Sequence, residues 1–71
     1  MHEYQLTVPH EFGAFHLAIH LTIMHMQGGE EPVFKSKETE VATIYLIPFD
    51  EEDTMYVFDK YLRENMSFLF Q

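Results

Sequence analysis

His16 and His20 are the two residues whose type and spacing most directly suggest chemistry. Four positions apart, they project on one side of a helix and would also share a face of a strand, so either geometry lets two imidazoles chelate Zn²⁺ or Ni²⁺. A metal centre also needs a third ligand and groups that orient the first ones. His10 or Glu11 could supply that ligand if the fold brings them close. The competing interpretation is a strip of polar histidines facing solvent on an otherwise apolar element. In both cases, protonating the five histidines below about pH 6.5 changes the formal charge from −8 to −3. Self-association and partner binding should then vary with pH.

Other catalytic inventories are thin. There is no cysteine, and the two serines, Ser36 and Ser67, lie outside any nucleophile elbow. The carboxylates Glu30/Glu31 and Asp50, Glu51, Glu52, Asp53 are adjacent acids of the kind found in a solvated turn and at a helix N-terminus, not a spaced acid/base pair. Gly28-Gly29 is followed by Glu30 and Glu31, which would repel phosphate. The expectation is a non-enzyme with no cofactor.

Charge sets the choice of partner. Twelve Asp or Glu stand against four cations, Lys35, Lys37, Lys60 and Arg63. Phosphate binding draws its strength from clustered Lys and Arg, so direct binding to nucleic acid or to an anionic membrane is not expected. A basic protein surface would be attracted instead. Residues 1–29 hold all five histidines and only Glu3 and Glu11 as acids, whereas residues 30–71 hold the other ten acids and every Lys and Arg. The charge is therefore one-sided. Glu30, Glu31 and Asp50–Asp53 become the candidate docking groups, with Tyr56 among the acids of the second helix as an aromatic anchor.

Periodicity supplies the elements that must position these groups. Residues 3–8 alternate as a half-buried strand. Residues 10–27 are ambiguous. Phe15, Leu17, Ile19, Leu21 and Ile23 alternate as in a strand, yet as a helix Phe12, Phe15, Ile19, Ile23 and Met26 form one apolar stripe, and Ala14, Leu17, Ala18, Leu21 and Met24 a second. His16, His20 and Gln27 then share a narrow polar strip. Pro9 at the start and Gly28-Gly29 at the end favour the helix; the alternative is a long strand in a meander sheet with one C-terminal helix. Residues 32–37 suit an edge strand. Residues 41–48 are apolar on both sides, as in a central strand covered on both faces. Residues 51–66 form an amphipathic helix, with Asp50 as its cap and Met55, Val57, Phe58, Tyr61, Leu62 and Met66 on its apolar arc. Residues 67–70 alternate as a closing strand.

The resulting order, βαββαβ over a single domain of residues 1–71, is that of a small ferredoxin-like sandwich with one antiparallel sheet and two helices. The stretch Val8-Pro9-His10-Glu11-Phe12-Gly13-Ala14-Phe15 resembles the glycine turn that opens the first helix of ACT regulatory domains, with Gly13 and Ala14 coinciding. The resemblance implies an amino-acid site lined by His10, Glu11, Phe12 and Gly13, and pairing of chains. It departs at Phe12, where the motif has proline.

A reducing, cytoplasmic setting is expected from the absence of cysteine, of a signal peptide and of any run near the ~20 apolar residues of a membrane span. The leading expectation is a small acidic regulator or inhibitor, a homodimer, that docks on a basic protein, with nucleic-acid mimicry of the kind used by phage-encoded inhibitors as one form. An ACT-like sensor and a histidine-based metal-binding protein are the alternatives.

Overall fold

The computed structural model describes residues 1–70. Strand β1 (His2–Pro9) leads through a 3-10 turn (His10–Phe15) into helix α1 (His16–Gln27). Strands β2 (Lys35–Glu38) and β3 (Ala42–Phe49) follow as a hairpin, then helix α2 (Glu52–Asn65) and a closing 3-10 turn (Ser67–Phe70). The sheet is antiparallel throughout in the order β1-β3-β2, so β3 is central. This α+β arrangement of three strands and two helices is compatible with a small ferredoxin-like fold. No described helix is long and apolar enough to cross a membrane.

Residues 10–27 are helical, as expected, with a 3-10 turn ahead of the α-helix, and not the long strand of the alternative; the reason lies in which side chains can be buried together. Ile19 and Ile23, one turn apart, are fully buried, while Leu17 and Leu21 are 69% and 51% exposed. A strand would have put all four on one face. The first turn is 3-10 and kinks at Phe12, whose backbone is not helical. Phe12 and Phe15 both meet Phe68, at 4.7 Å between ring centroids in each case. Gly28, at φ 72°, ends α1 in the left-handed conformation that a side chain would resist.

The closing strand at 67–70 is also a 3-10 turn. Phe68, Leu69 and Phe70 are all half-buried. A strand, which turns alternate residues to opposite faces, would expose at least one of them. Phe68 instead packs on Phe12 and Phe15, and Phe70 lies under the Arg63 guanidinium at 4.3 Å.

Both helices cover one face of the sheet. Leu6 and Val8 of β1 and Tyr45, Ile47 and Phe49 of β3 meet Ile19, Ile23, Phe58, Leu62 and Met66 in a single core. The other face is uncovered, contrary to the two-sided burial expected of β3. There Ile44, Leu46 and Pro48 are half-buried, flanked by Gln5 and Thr7 on one side and Lys35 and Lys37 on the other. On α2, Phe58, Leu62 and Met66 turn inward, whereas Val57 and Tyr61 of the expected apolar arc are exposed. The cap residue of α2 is Glu51, not Asp50, and no side chain caps it.

One polar pair ties α2 to β1. The Tyr4 hydroxyl donates to Asp59 Oδ1 at 2.5 Å, and Arg63 Nε donates to both Asp59 oxygens at 3.1 and 3.0 Å. Burial works to raise the Asp59 carboxyl, but the hydrogen bonds from Tyr4 and Arg63 outweigh it and hold it below the usual aspartate value. Burial and the Asp59 carboxylate push the Tyr4 phenol well up. Because the folded chain binds this proton less readily than the unfolded one, stability is present above about pH 4 and is lost as pH falls through the folded value. Tyr4→Phe is expected to cost about 1–2 kcal/mol at neutral pH. Its denaturant midpoint should fall less than the wild type's between about pH 4 and pH 2, as read by urea titration.

Candidate functional site

Six of the twelve acidic residues, Glu30, Glu31, Asp50, Glu51, Glu52 and Asp53, lie in the loop after α1 and at the start of α2. Gln27, the last residue of α1, fixes the loop that follows. Its Nε2 donates to the carbonyls of Val33 at 2.7 Å and Pro48 at 3.1 Å, and its Oε1 accepts from the Val33 amide at 2.8 Å. One side chain thus pins residues 28–34 beside the end of β3. The result is a groove of about 440 Å³ whose acids are Glu31, Asp50 and Glu51 and whose apolar lining includes Met26, Val33 and Phe49.

Of the expected docking acids, Glu31, Asp50 and Glu51 line this groove. Glu30, Glu52 and Asp53 are exposed and do not. Glu52 and Asp53 occupy the first turn of α2, where they complement the helix dipole. Tyr56 lies one turn further on and is 59% exposed. Glu52, as hydrogen-bond acceptor and as a charge, holds the Tyr56 phenol above its ordinary value. Carboxylates lining one groove with apolar side chains are suited to a Lys or Arg side chain, which carries a long apolar stem behind a charged head. Thr54 contributes a hydroxyl to the same lining.

The histidine strip does not face solvent. His16 and His20 are half-buried, and both rings turn toward the buried Tyr45 of β3. His16 Nδ1 hydrogen-bonds the Tyr45 hydroxyl, and His20 Nε2 lies 3.0 Å from the same oxygen. A phenol has one proton, so it donates to one imidazole and accepts from the other. Phe34 closes the cluster, its ring centroid 4.8 Å from His20 and 5.1 Å from Tyr45. Burial, then the neighbouring His16, lowers the His20 value, while burial and the Glu38 carboxylate raise the Tyr45 phenol.

The ligands anticipated for these histidines are elsewhere. His10 Nε2 bonds the Thr39 carbonyl at 2.8 Å and lies 3.7 Å from Glu38, and Glu11 is exposed. Among the described residues no three His, Cys, Asp or Glu side chains converge. His10, Glu11, Phe12 and Gly13 form the 3-10 turn, with Phe12 packed against Phe68. None of the four lines the acidic groove.

Sequence reasoning passed over Gln27 and Tyr45. The signal for Tyr45 was present: a tyrosine in the middle of an apolar central strand needs a partner for its hydroxyl. Nothing comparable marks Gln27, whose role depends on where the loop returns.

Gln27→Ala is expected to cost about 1–3 kcal/mol. Hydrogen exchange should show the Val33 amide losing protection while core β3 amides keep theirs.

No family model, curated protein or solved structure matches the chain.

Proposed function

We propose that the protein is a small non-enzymatic regulator or inhibitor that acts by docking its acidic end on a basic protein surface. The observation that carries this reading is the groove lined jointly by Glu31, Asp50 and Glu51 and by Met26, Val33 and Phe49. A basic side chain entering it exchanges water for carboxylates while its methylenes cover the apolar lining, so charge speeds encounter and burial slows departure. Glu30, Glu52, Asp53 and the exposed Tyr56 extend the contact along the loop and the first turns of α2. Nucleic-acid mimicry is the form this takes if the partner's surface ordinarily holds phosphates. We read the architecture as a ferredoxin-like sandwich in which the closing 3-10 turn stands where a fourth strand would be.

A lysine- and arginine-rich peptide serves as the probe. The triple variant Glu31→Gln/Asp50→Asn/Glu51→Gln is expected to bind it at least about ten-fold more weakly, a loss of about 1.4 kcal/mol, in a fluorescence titration at physiological salt. Glu30→Gln/Asp53→Asn, which leaves the groove intact, should change affinity less. Equal losses from both variants would make net charge, not the groove, the determinant and would overturn the reading.

A second copy of the chain is the proposed partner for the outer helical face. Leu17 and Leu21 of α1 and Val57 and Tyr61 of α2 are exposed, and a cleft of about 330 Å³ lies between the helices, lined by Leu21, Thr22, His25, Met26 and Tyr61. Apolar surface of this kind is what a homodimer covers. Leu21→Glu, at an exposed position, should fold normally and sediment as a monomer under conditions where the wild type sediments as a dimer.

A further inference from the structure

We propose that His16, His20 and Tyr45 form a binding site for a divalent first-row transition-metal cation, Cu²⁺ foremost, held by His16 Nδ1, His20 Nε2 and the Tyr45 oxygen. The geometry is the main argument. The two imidazoles arise from one face of α1, four residues apart, and their nitrogens converge on a single atom contributed by β3, one of them at 3.0 Å and the other in a closer hydrogen bond. Donors about 2.0–2.1 Å from a common ion lie roughly 3 Å from one another at the angles such ions adopt. The two nitrogen–oxygen contacts thus gather three donors around one point, and an ion enters as the Tyr45 oxygen draws back from between the nitrogens.

Donor chemistry narrows the ion. Imidazole nitrogen suits Zn²⁺, Ni²⁺ and Cu²⁺, and among first-row divalent ions a site of nitrogen and oxygen donors holds Cu²⁺ most strongly. Calcium and magnesium prefer shells made wholly of oxygen. The two imidazoles are half-buried, and Phe34 closes the side next to His20 and Tyr45. The other titratable groups on this side of the sheet, His10 and Glu38, lie 3.7 Å from each other and outside the donor set. A formal charge of −8 raises the local concentration of any cation.

The protons balance simply. In the metal-free cluster one imidazole presents N–H to the phenol and the other accepts the phenolic proton. On binding, the first imidazole shifts its proton to its other ring nitrogen, the phenolic proton leaves to solvent, and the phenolate oxygen bonds the ion. One proton is released per ion, so affinity rises with pH.

The test is a calorimetric and spectroscopic titration of the full chain with Cu²⁺. The expected result is one tight equivalent, a visible phenolate-to-copper charge-transfer band, and a paramagnetic resonance spectrum showing two imidazole nitrogens. Tyr45→Phe, which deletes a single oxygen, should fold by circular dichroism and lose the band. His16→Gln and His20→Gln should each weaken binding at least ten-fold. Persistence of the band in Tyr45→Phe, unchanged affinity in the histidine variants, or a wild-type spectrum without the band would place the ion on surface histidines such as His2 or His25 and overturn the proposal. The wild-type band and resonance spectrum decide the matter even if a variant fails to fold.

Discussion

The position of Phe58 is the constraint on which the rest of the molecule depends. Its ring is fully buried and lies 5.3 Å from Tyr4 of β1, edge-on, and 5.3 Å from Phe49 of β3, tilted. One side chain of α2 therefore holds the ends of two strands. Leu62 and Met66 continue the seam, and Ile19 and Ile23 of α1 cover the remainder of the same face. A chain of this size buries only about 60% of its unfolded surface, so few contacts are available to share the work.

Both candidate sites take their geometry from that seam. Phe49 is in the core and also lines the acidic groove, so the strand end anchored on Phe58 is the one that delivers Asp50 and Glu51 to the groove. Further along β3, with alternate residues facing inward, Tyr45 is presented to α1 at the level of His16 and His20. One site lies at the end of the strand and the other at its middle. The first is carboxylate-rich and open; the second is a half-buried cluster of rings.

The elements most legible in the sequence were those whose burial follows a single period. Residues 3–8 and 41–48 alternate and are strands; residues 51–66 repeat helically and are a helix, each within a residue or two of its bounds. The region 10–27 satisfied two periods at once, and tertiary packing chose between them by burying Ile19 and Ile23 while exposing Leu17 and Leu21. The tail failed for a related reason. Ser67–Phe70 alternates too weakly to outweigh the chance for its two aromatic side chains to find Phe12, Phe15 and Arg63. The docking acids could be listed from the sequence, but their division into groove and surface could not, because it depends on Gln27 drawing Val33 toward Pro48. The histidine pair was visible as spacing; its third member, Tyr45, lies in another element and was concealed among core residues.

The pairing order of the sheet has a kinetic corollary. β2 and β3 are joined by a tight turn in which the Thr39 amide bonds the Ala42 carbonyl at 2.8 Å, so that hairpin closes locally. β1 pairs only with β3, residue 9 opposite residue 42 and residue 2 opposite residue 49, across roughly 30–50 intervening residues whose closure must be met entropically before any of its hydrogen bonds form. During synthesis the first strand made is thus the last to find its place. It stays unpaired until the central strand has left the ribosome, and its low content of charge, Glu3 alone between His2 and Pro9, exposes it to aggregation over that interval.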